Sequence, residues 1–189
     1  MEKNLKKKIL AALMAALTCI ATMILKLPTP TMGYIHIGDG MTLLCGFLLG
    51  PAAGALAAGI GSMFADIFSG YAAFAPATFL IKALTAGIAG LLFRLFKRRP
   101  KQPQPYQIFV IASGLIGETV MVTGYFLYET AIAAFAAGRL TTAAVAAGAA
   151  SAAAGVPFNL VQGLAGILIS LLLFPILSKV PDIKEQLLY

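Results

Sequence analysis

A lysine, a glutamate and two amides sit inside long apolar runs of this chain, and their types and depth mark them as the residues best placed to do chemistry. Lys82 lies in the run Phe74–Phe93, Glu118 in Ile108–Phe126, and Asn159 with Gln162 in Val156–Phe174. Each run is long enough to cross a bilayer, which takes about 20 residues. A charged group in the middle of a membrane helix costs about 2.5–3.5 kcal/mol on insertion, so such groups turn towards a bundle interior and mark a site or a pathway. Thr78, Lys82 and Thr85 recur at i, i+4 and i+7 and share one helix face. Lys82 falls about 9 Å below the helix start at Pro76, taking 1.5 Å per residue. Glu118, Tyr125, Tyr128 and Glu129 share a face of the following helix, with Glu118 near the bilayer midplane. Lys82 and Glu118 could contact a ligand or pair with each other; a buried pair is in itself weak evidence for stability. Asn159 and Gln162 could touch a ligand or act as hydrogen-bonding glue between helices. Pro157, just before Asn159, is expected to kink their helix and free a backbone carbonyl.

Other chemistries find no support. There is no nucleophile elbow, no phosphate-cradling glycine loop and no metal motif, and the single histidine cannot build a zinc site alone. No cofactor is expected. Asp39 and Asp66 lack the Gly-x-Gly-Asp context used by some intramembrane aspartyl proteases. His36 and Asp39 could bind a ligand or serve their own loop, and Asp66 with Ser62 could brace it. Any energy for transport has to come from a partner or an ion gradient, because no ATP-binding signature is present.

Composition dictates the elements that position these groups. Of 189 residues, 60% are hydrophobic and 11% charged, roughly half the charged share of a soluble domain. Apolar residues spread over the whole length leave no water-soluble surface, and a spanning chain must satisfy its own backbone as helices or a closed barrel. Long Ala, Leu, Ile and Gly runs without period-2 alternation select helices. The expected architecture is one all-α integral-membrane domain, a bundle of six transmembrane helices. These are Lys7–Leu25, Gly40–Leu49, Ala52–Phe68, Ala77–Phe96, Tyr106–Ala136 and Gly155–Ser178. Pro28 and Pro30 stop the first helix, a first loop covers about residues 27–38, and Gly50-Pro51 makes a tight turn. Gly54, Ala58, Gly61 and Ala65 form a small-residue stripe for close helix approach. Residues 141–154, too apolar for an ordinary loop, read as an outer extension or half-helix. The apolar run Ile9–Leu25 is longer than a signal-peptide core and lacks a small-x-small cleavage site, so it reads as a membrane helix. Cys19 and Cys45 read as small buried hydrophobes.

The net charge of +7 is clustered beside apolar runs, which excludes a nucleic-acid footprint in favour of membrane orientation. Placing both termini in the cytoplasm puts Lys3, Lys6, Lys7, Lys8, the basic linker of about 97–105, Lys179 and Lys184 on one side. With Arg94, at the cytoplasmic end of the fourth helix, that is 11 of the 14 Lys and Arg residues. The first helix also carries two overlapping Ala-x-x-x-Ala patterns, Ala11 with Ala15 and Ala12 with Ala16, flat surfaces suited to a partner helix or to packing within the bundle.

These features together resemble the substrate-binding (S) components of energy-coupling factor (ECF) vitamin transporters. The resemblance rests on the alanine pattern, on Tyr34–Asp39 (YIHIGD), and on Leu48–Pro51 (LLGP) followed by Gly54. It extends to Ala65–Tyr71 (ADIFSGY), to Lys82 in its helix, and to Pro157–Asn159 (PFN) with Gln162. It covers about residues 8–178. It implies a multi-pass protein of a bacterial or archaeal plasma membrane that captures a vitamin-like ligand from outside. The implied pocket lies in the outer halves of the last three helices under the first loop, at His36, Tyr71, Phe74, Lys82, Glu118, Tyr125, Asn159 and Gln162. Ala11, Ala12, Ala15 and Ala16 would then dock on a transmembrane coupling subunit carrying two ATP-binding subunits. Such a residue set suits a planar heterocycle of riboflavin, pyridoxine or hydroxymethylpyrimidine type. The rival is a self-sufficient proton-coupled carrier using Lys82 and Glu118, against which stands the lack of a repeat of broken helices.

Overall fold

The computed structural model of the chain describes residues 2–31, 33–98, 105–138 and 141–187. Most of the expected basic linker, and Arg139, lie outside the described residues. The elements in order are α1 (Glu2–Ile24), β1 (Lys26–Pro28), β2 (Tyr34–His36), α2 (Asp39–Leu49), α3 (Pro51–Phe68) and α4 (Ala75–Arg98). They continue with α5 (Tyr106–Ala136), α6 (Thr142–Ala153), α7 (Val156–Leu177) and α8 (Pro181–Leu187).

Five helices, α1, α3, α4, α5 and α7, are long and apolar enough to cross a membrane. The expected second crossing is α2, whose 11 residues make it about 16 Å long, half of a hydrocarbon core. All of its residues are buried. It is a central plug touching α1, α3, α4, α5, α7 and α8. Around it α4 lies between α3 and α5, α1 packs on α3, and α5 packs on α6 and α7. Residues 141–154 do form a helix, α6, started by Thr141, whose hydroxyl accepts from the Ala144 N–H at 3.1 Å.

The first loop is more ordered than its proline content suggests. β1 and β2 pair antiparallel, with Lys26 opposite His36 and Pro28 opposite Tyr34. The two-stranded sheet consists of edges only, so the missing N–H of Pro28 is tolerated. Pro157 does not kink its helix: it stands in the first turn of α7, where no intrahelical donor is needed, and the interior proline of that helix is Pro175.

Burial is arranged for a non-aqueous surround. Leu160, Leu164, Leu168, Leu172 and Ile176, four residues apart along α7, are all more than half exposed, as are Leu80 and Leu84 on α4. Thr18, Thr42, Ser62, Thr78, Lys82, Thr85, Ser113, Gln162 and Ser170 are buried. A polar interior with an apolar exterior is the inverse of a soluble bundle and leaves lipid tails as the fitting neighbour. At the Gly50 end the core is aromatic, with Phe93 against Phe47 at 4.9 Å and against Phe174 at 5.3 Å between ring centroids. At the hairpin end it is polar.

Close backbone approach holds α2 in place. A Cβ added to Gly46 would meet the Ala86 carbonyl oxygen at 2.2 Å, and one on Gly90 would meet the Gly46 carbonyl oxygen at 2.4 Å. Backbone on backbone cannot give way, so the α2–α4 crossing requires glycine on both sides. Gly46→Ala should therefore destabilise the protein by about 1–3 kcal/mol or more, seen as a lower midpoint in heat-challenge size-exclusion of detergent-purified protein. Gly87→Ala, whose Cβ would find ordinary contacts from 3.4 Å, should change that midpoint little.

Candidate ligand-binding site

Lys82 is fully buried, and its ammonium pairs with Asp39 rather than with Glu118. Asp39 opens α2, directly after the hairpin, and is itself fully buried. Its second oxygen, Oδ2, accepts from Gln162 Nε2 at 2.7 Å, and Gln162 Oε1 in turn accepts from the His36 N–H at 2.9 Å. One hydrogen-bonded chain thus ties the hairpin to α7, α2 and α4. Lys82 and Asp39 each meet an opposite charge, the condition for holding ions away from water.

Glu118 is also interior, at 5% exposure, packed beside Asp39 against Gly163 and Gly166 of α7. Neither of its carboxyl oxygens has a hydrogen-bond partner among the described residues. Glu118 and Lys82 are therefore near the same network without forming the expected pair.

The cavity lies above this network, under the hairpin. It measures about 20 Å³ and is lined by Thr29, Gly33, Tyr34, His36, Asp66, Tyr71, Phe74, Thr78, Tyr125, Glu129 and Asn159. Of the residues singled out from the sequence, His36, Tyr71, Phe74, Tyr125 and Asn159 line it, whereas Lys82, Glu118 and Gln162 form the layer behind. Lys82 Nζ sits 5.3 Å from the ring centroid of Tyr125, within cation–π range. Tyr34, Asp66, Thr78 and Glu129 line the cavity and were not among the expected pocket residues; Asp39, which could bind a ligand or serve its loop on the sequence alone, completes the layer behind as the partner of Lys82.

The hairpin is fastened from several sides. Tyr34 donates its phenol to Asp66 Oδ1 at 2.7 Å, and Lys26 donates to Ser69 Oγ at 2.9 Å. Burial, then the Asp66 carboxylate, pushes the Tyr34 phenol up, so it remains a donor. On the opposite wall Thr78 and Tyr125 share a hydrogen bond at 3.1 Å, and Tyr128 donates to the Ala73 carbonyl. His36 accepts the Gly38 N–H on Nδ1 at 3.0 Å. Burial first, then the Lys82 ammonium, holds its imidazole down at about 3.

The alanine face of α1 divides between two environments. Ala15 packs against α3, where a Cβ on Gly61 would meet the Ala15 carbonyl oxygen at 2.3 Å. Ala12 and Ala16 are exposed, and all four alanines border an open apolar groove whose far wall is Leu56, Ile60, Phe64 and Phe68 of α3.

Two outcomes follow. Lys82→Met leaves Asp39 buried and unpaired and should cost about 3–5 kcal/mol, while the Lys82→Met/Asp39→Asn double variant should recover part of that, measured by thermal challenge in detergent. As the one histidine of the chain, His36 can be followed by imidazole NMR in untagged protein. A pKa held at about 3 gives stability that is present above the ordinary value near 6.5 and lost as pH falls towards 3. Its ring resonances should not move between pH 8 and 5; a midpoint near 6.5 would contradict the buried neutral state.

The comparisons with known proteins agree with one another. The family model described as ECF-type riboflavin transporter, S component, matches residues 2–179. A solved structure titled "Structure and mechanism of the S component of a bacterial ECF transporter" has the same fold, with a TM-score of 0.67 at 21% identity. It covers 93% of this chain and 96% of that one. Comparison with curated proteins gave no match. With its polar cavity capped by a hairpin, its multi-pass helical fold and this near full-length match, the chain belongs to the S-component family of ECF-type riboflavin transporters, substrate-binding subunits rather than enzymes.

Proposed function

We propose that this protein captures a water-soluble vitamin or vitamin precursor, a heterocycle of riboflavin, pyridoxine or hydroxymethylpyrimidine type, from outside the cell. ATPases in partner subunits then power its release inside. The observation that carries the reading is the aromatic and polar cavity beneath a fastened hairpin, backed by the buried Lys82–Asp39 pair. Aromatic walls stack a planar ring while a few polar groups fix its orientation. At about 20 Å³ the cavity is closed, far below the roughly 300 Å³ at which small-molecule sites begin. The ligand therefore enters when the hairpin withdraws, and its polar groups replace the contacts given up there.

Orientation follows from charge. Lys6, Lys7, Lys8, Arg94, Lys97, Lys179 and Lys184 gather at the end opposite the hairpin, where Lys6 pairs with Asp182 at 3.2 Å. Basic ends stay in the cytoplasm. Both termini then face the cytoplasm, α2 serves as the sixth, incomplete crossing, and the cavity opens outward in a bacterial or archaeal plasma membrane. Ala12 and Ala16, with the rim formed by Ala11 and Ala15, present the flat face on which a transmembrane coupling subunit docks.

Mass spectrometry of small molecules released from protein purified in mild detergent should detect one bound heterocycle in near-stoichiometric amount. Its absence, together with no binding of added vitamins, would refute the capture reading. In cells, uptake should vanish when the partner ATPases are inactivated; uptake that persists without them would establish the proton-coupled carrier instead.

A further inference from the structure

We infer that the cavity is built for an organic cation: its ligand presents a protonated amine or a positively charged nitrogen heterocycle to Asp66 and Glu129, beside the rings of Tyr71 and Phe74. The inference rests on the reading of this cavity as the capture site and goes further by fixing the sign of the ligand's charge.

Charge at the site is the reverse of what a lysine facing the ligand would give. The Lys82 ammonium is engaged by Asp39 and stands behind the lining residues. The two ionisable side chains that reach the cavity with an unused acceptor are both carboxyls. Asp66 is 4% exposed; its Oδ1 accepts from Tyr34, and its buried Oδ2 has no partner among the described residues. Glu129 is 9% exposed, and its buried Oε2 has none either. Thr78 shares a hydrogen bond with Tyr125 and Thr29 with Thr31, each at 3.1 Å; Thr78 and Thr31 also stand close to Asp66 and Glu129, so the donors that serve these carboxyls are neutral and divided between partners. Lys26 stands over the Tyr34 ring, 6.0 Å from its centroid, and bonds Ser69, not a carboxyl. His36 is held neutral by burial.

A buried acceptor with no donor is costly, and a ligand donor removes that cost. A positive ligand removes it most effectively, because it also balances charge in a site with little water. The aromatic walls select the same sign. Tyr34 and Tyr71 have centroids 4.6 Å apart, and Tyr71 and Phe74 stand edge to face at 6.4 Å. Ring faces attract a cation within about 6 Å of their centroids, which is how aromatic cages bind ammonium groups. An anionic ester, such as a phosphorylated vitamin, would meet two carboxyls and, among the described lining residues, no lysine or arginine.

Binding to the full chain in detergent, measured by isothermal titration, tests this with a charge series. Thiamine and pyridoxamine are the cations, pyridoxine and riboflavin the neutral probes, and riboflavin 5′-phosphate the anion. Pyridoxamine differs from pyridoxine by an ammonium in place of a hydroxyl. A cation should bind tightest, with pyridoxamine about tenfold or more tighter than pyridoxine, and the phosphate ester should bind weakest. Asp66→Asn and Glu129→Gln should each weaken pyridoxamine about tenfold or more and pyridoxine less, so that the preference for the cation narrows. Tightest binding of riboflavin or pyridoxine would overturn the charge assignment and leave vitamin capture standing; binding of none of the five would overturn both. The series on the unmodified protein decides the matter even if a variant fails to fold.

Discussion

One ion pair organises this molecule. An ammonium held inside a membrane-spanning bundle must be met by an anion or expelled, and Asp39 meets Lys82 with neither exposed to solvent. To deliver that aspartate, the chain leaves α1, folds a hairpin back over the bundle and begins α2 at the required depth. The short plug, the covering hairpin and the two amide hydrogen bonds of Gln162 all follow from placing Asp39 there. Removing the pair in thought removes the reason for α2 to be central.

The same constraint separates the bundle into two ends with different physics. Below the ion pair, Phe47, Phe93 and Phe174 fill the space with ring contacts that tolerate no polar guest. Above it, hydroxyls, carboxyls and tyrosines crowd a narrow hollow whose hydrogen bonds are mostly made within the protein. Rigid packing on one side and exchangeable polar contacts on the other allow a guest to be admitted at one end while the other keeps its shape.

Much of this was legible in the letters because membrane insertion imposes strong penalties that composition and depth reveal. The apolar spans, the buried face of Thr78, Lys82 and Thr85, and the helix at 141–154 could all be read from hydropathy and period. The partner of Lys82 could not. Asp39 stands 43 positions away beside a proline- and glycine-rich stretch, which local signals assign to a loop, and only the tertiary path of α2 brings it inward. The signal that was available was a balance: an interior lysine demands a counter-ion, and Asp39 heads an apolar run as Glu118 sits within one. Asp66 was read as a brace for the first loop and Glu129 as one member of a helix face, because near helix ends depth along the chain says little about which way a side chain turns. The short strands escaped notice because three-residue pairings carry no periodic signature.

The turn between α2 and α3 has a mechanical consequence. Gly50, at φ 83°, is the whole connection, and Gly54 of α3 lies so close to α2 that an added Cβ would meet the Cys45 carbonyl oxygen at 2.4 Å. Such a joint has no slack, so the two helices must travel as a single stiff lever. One arm carries the carboxylate at the heart of the bundle; the other forms the wall against which the alanines of α1 rest. Any shift of the inner arm would therefore carry the outer wall of the protein with it.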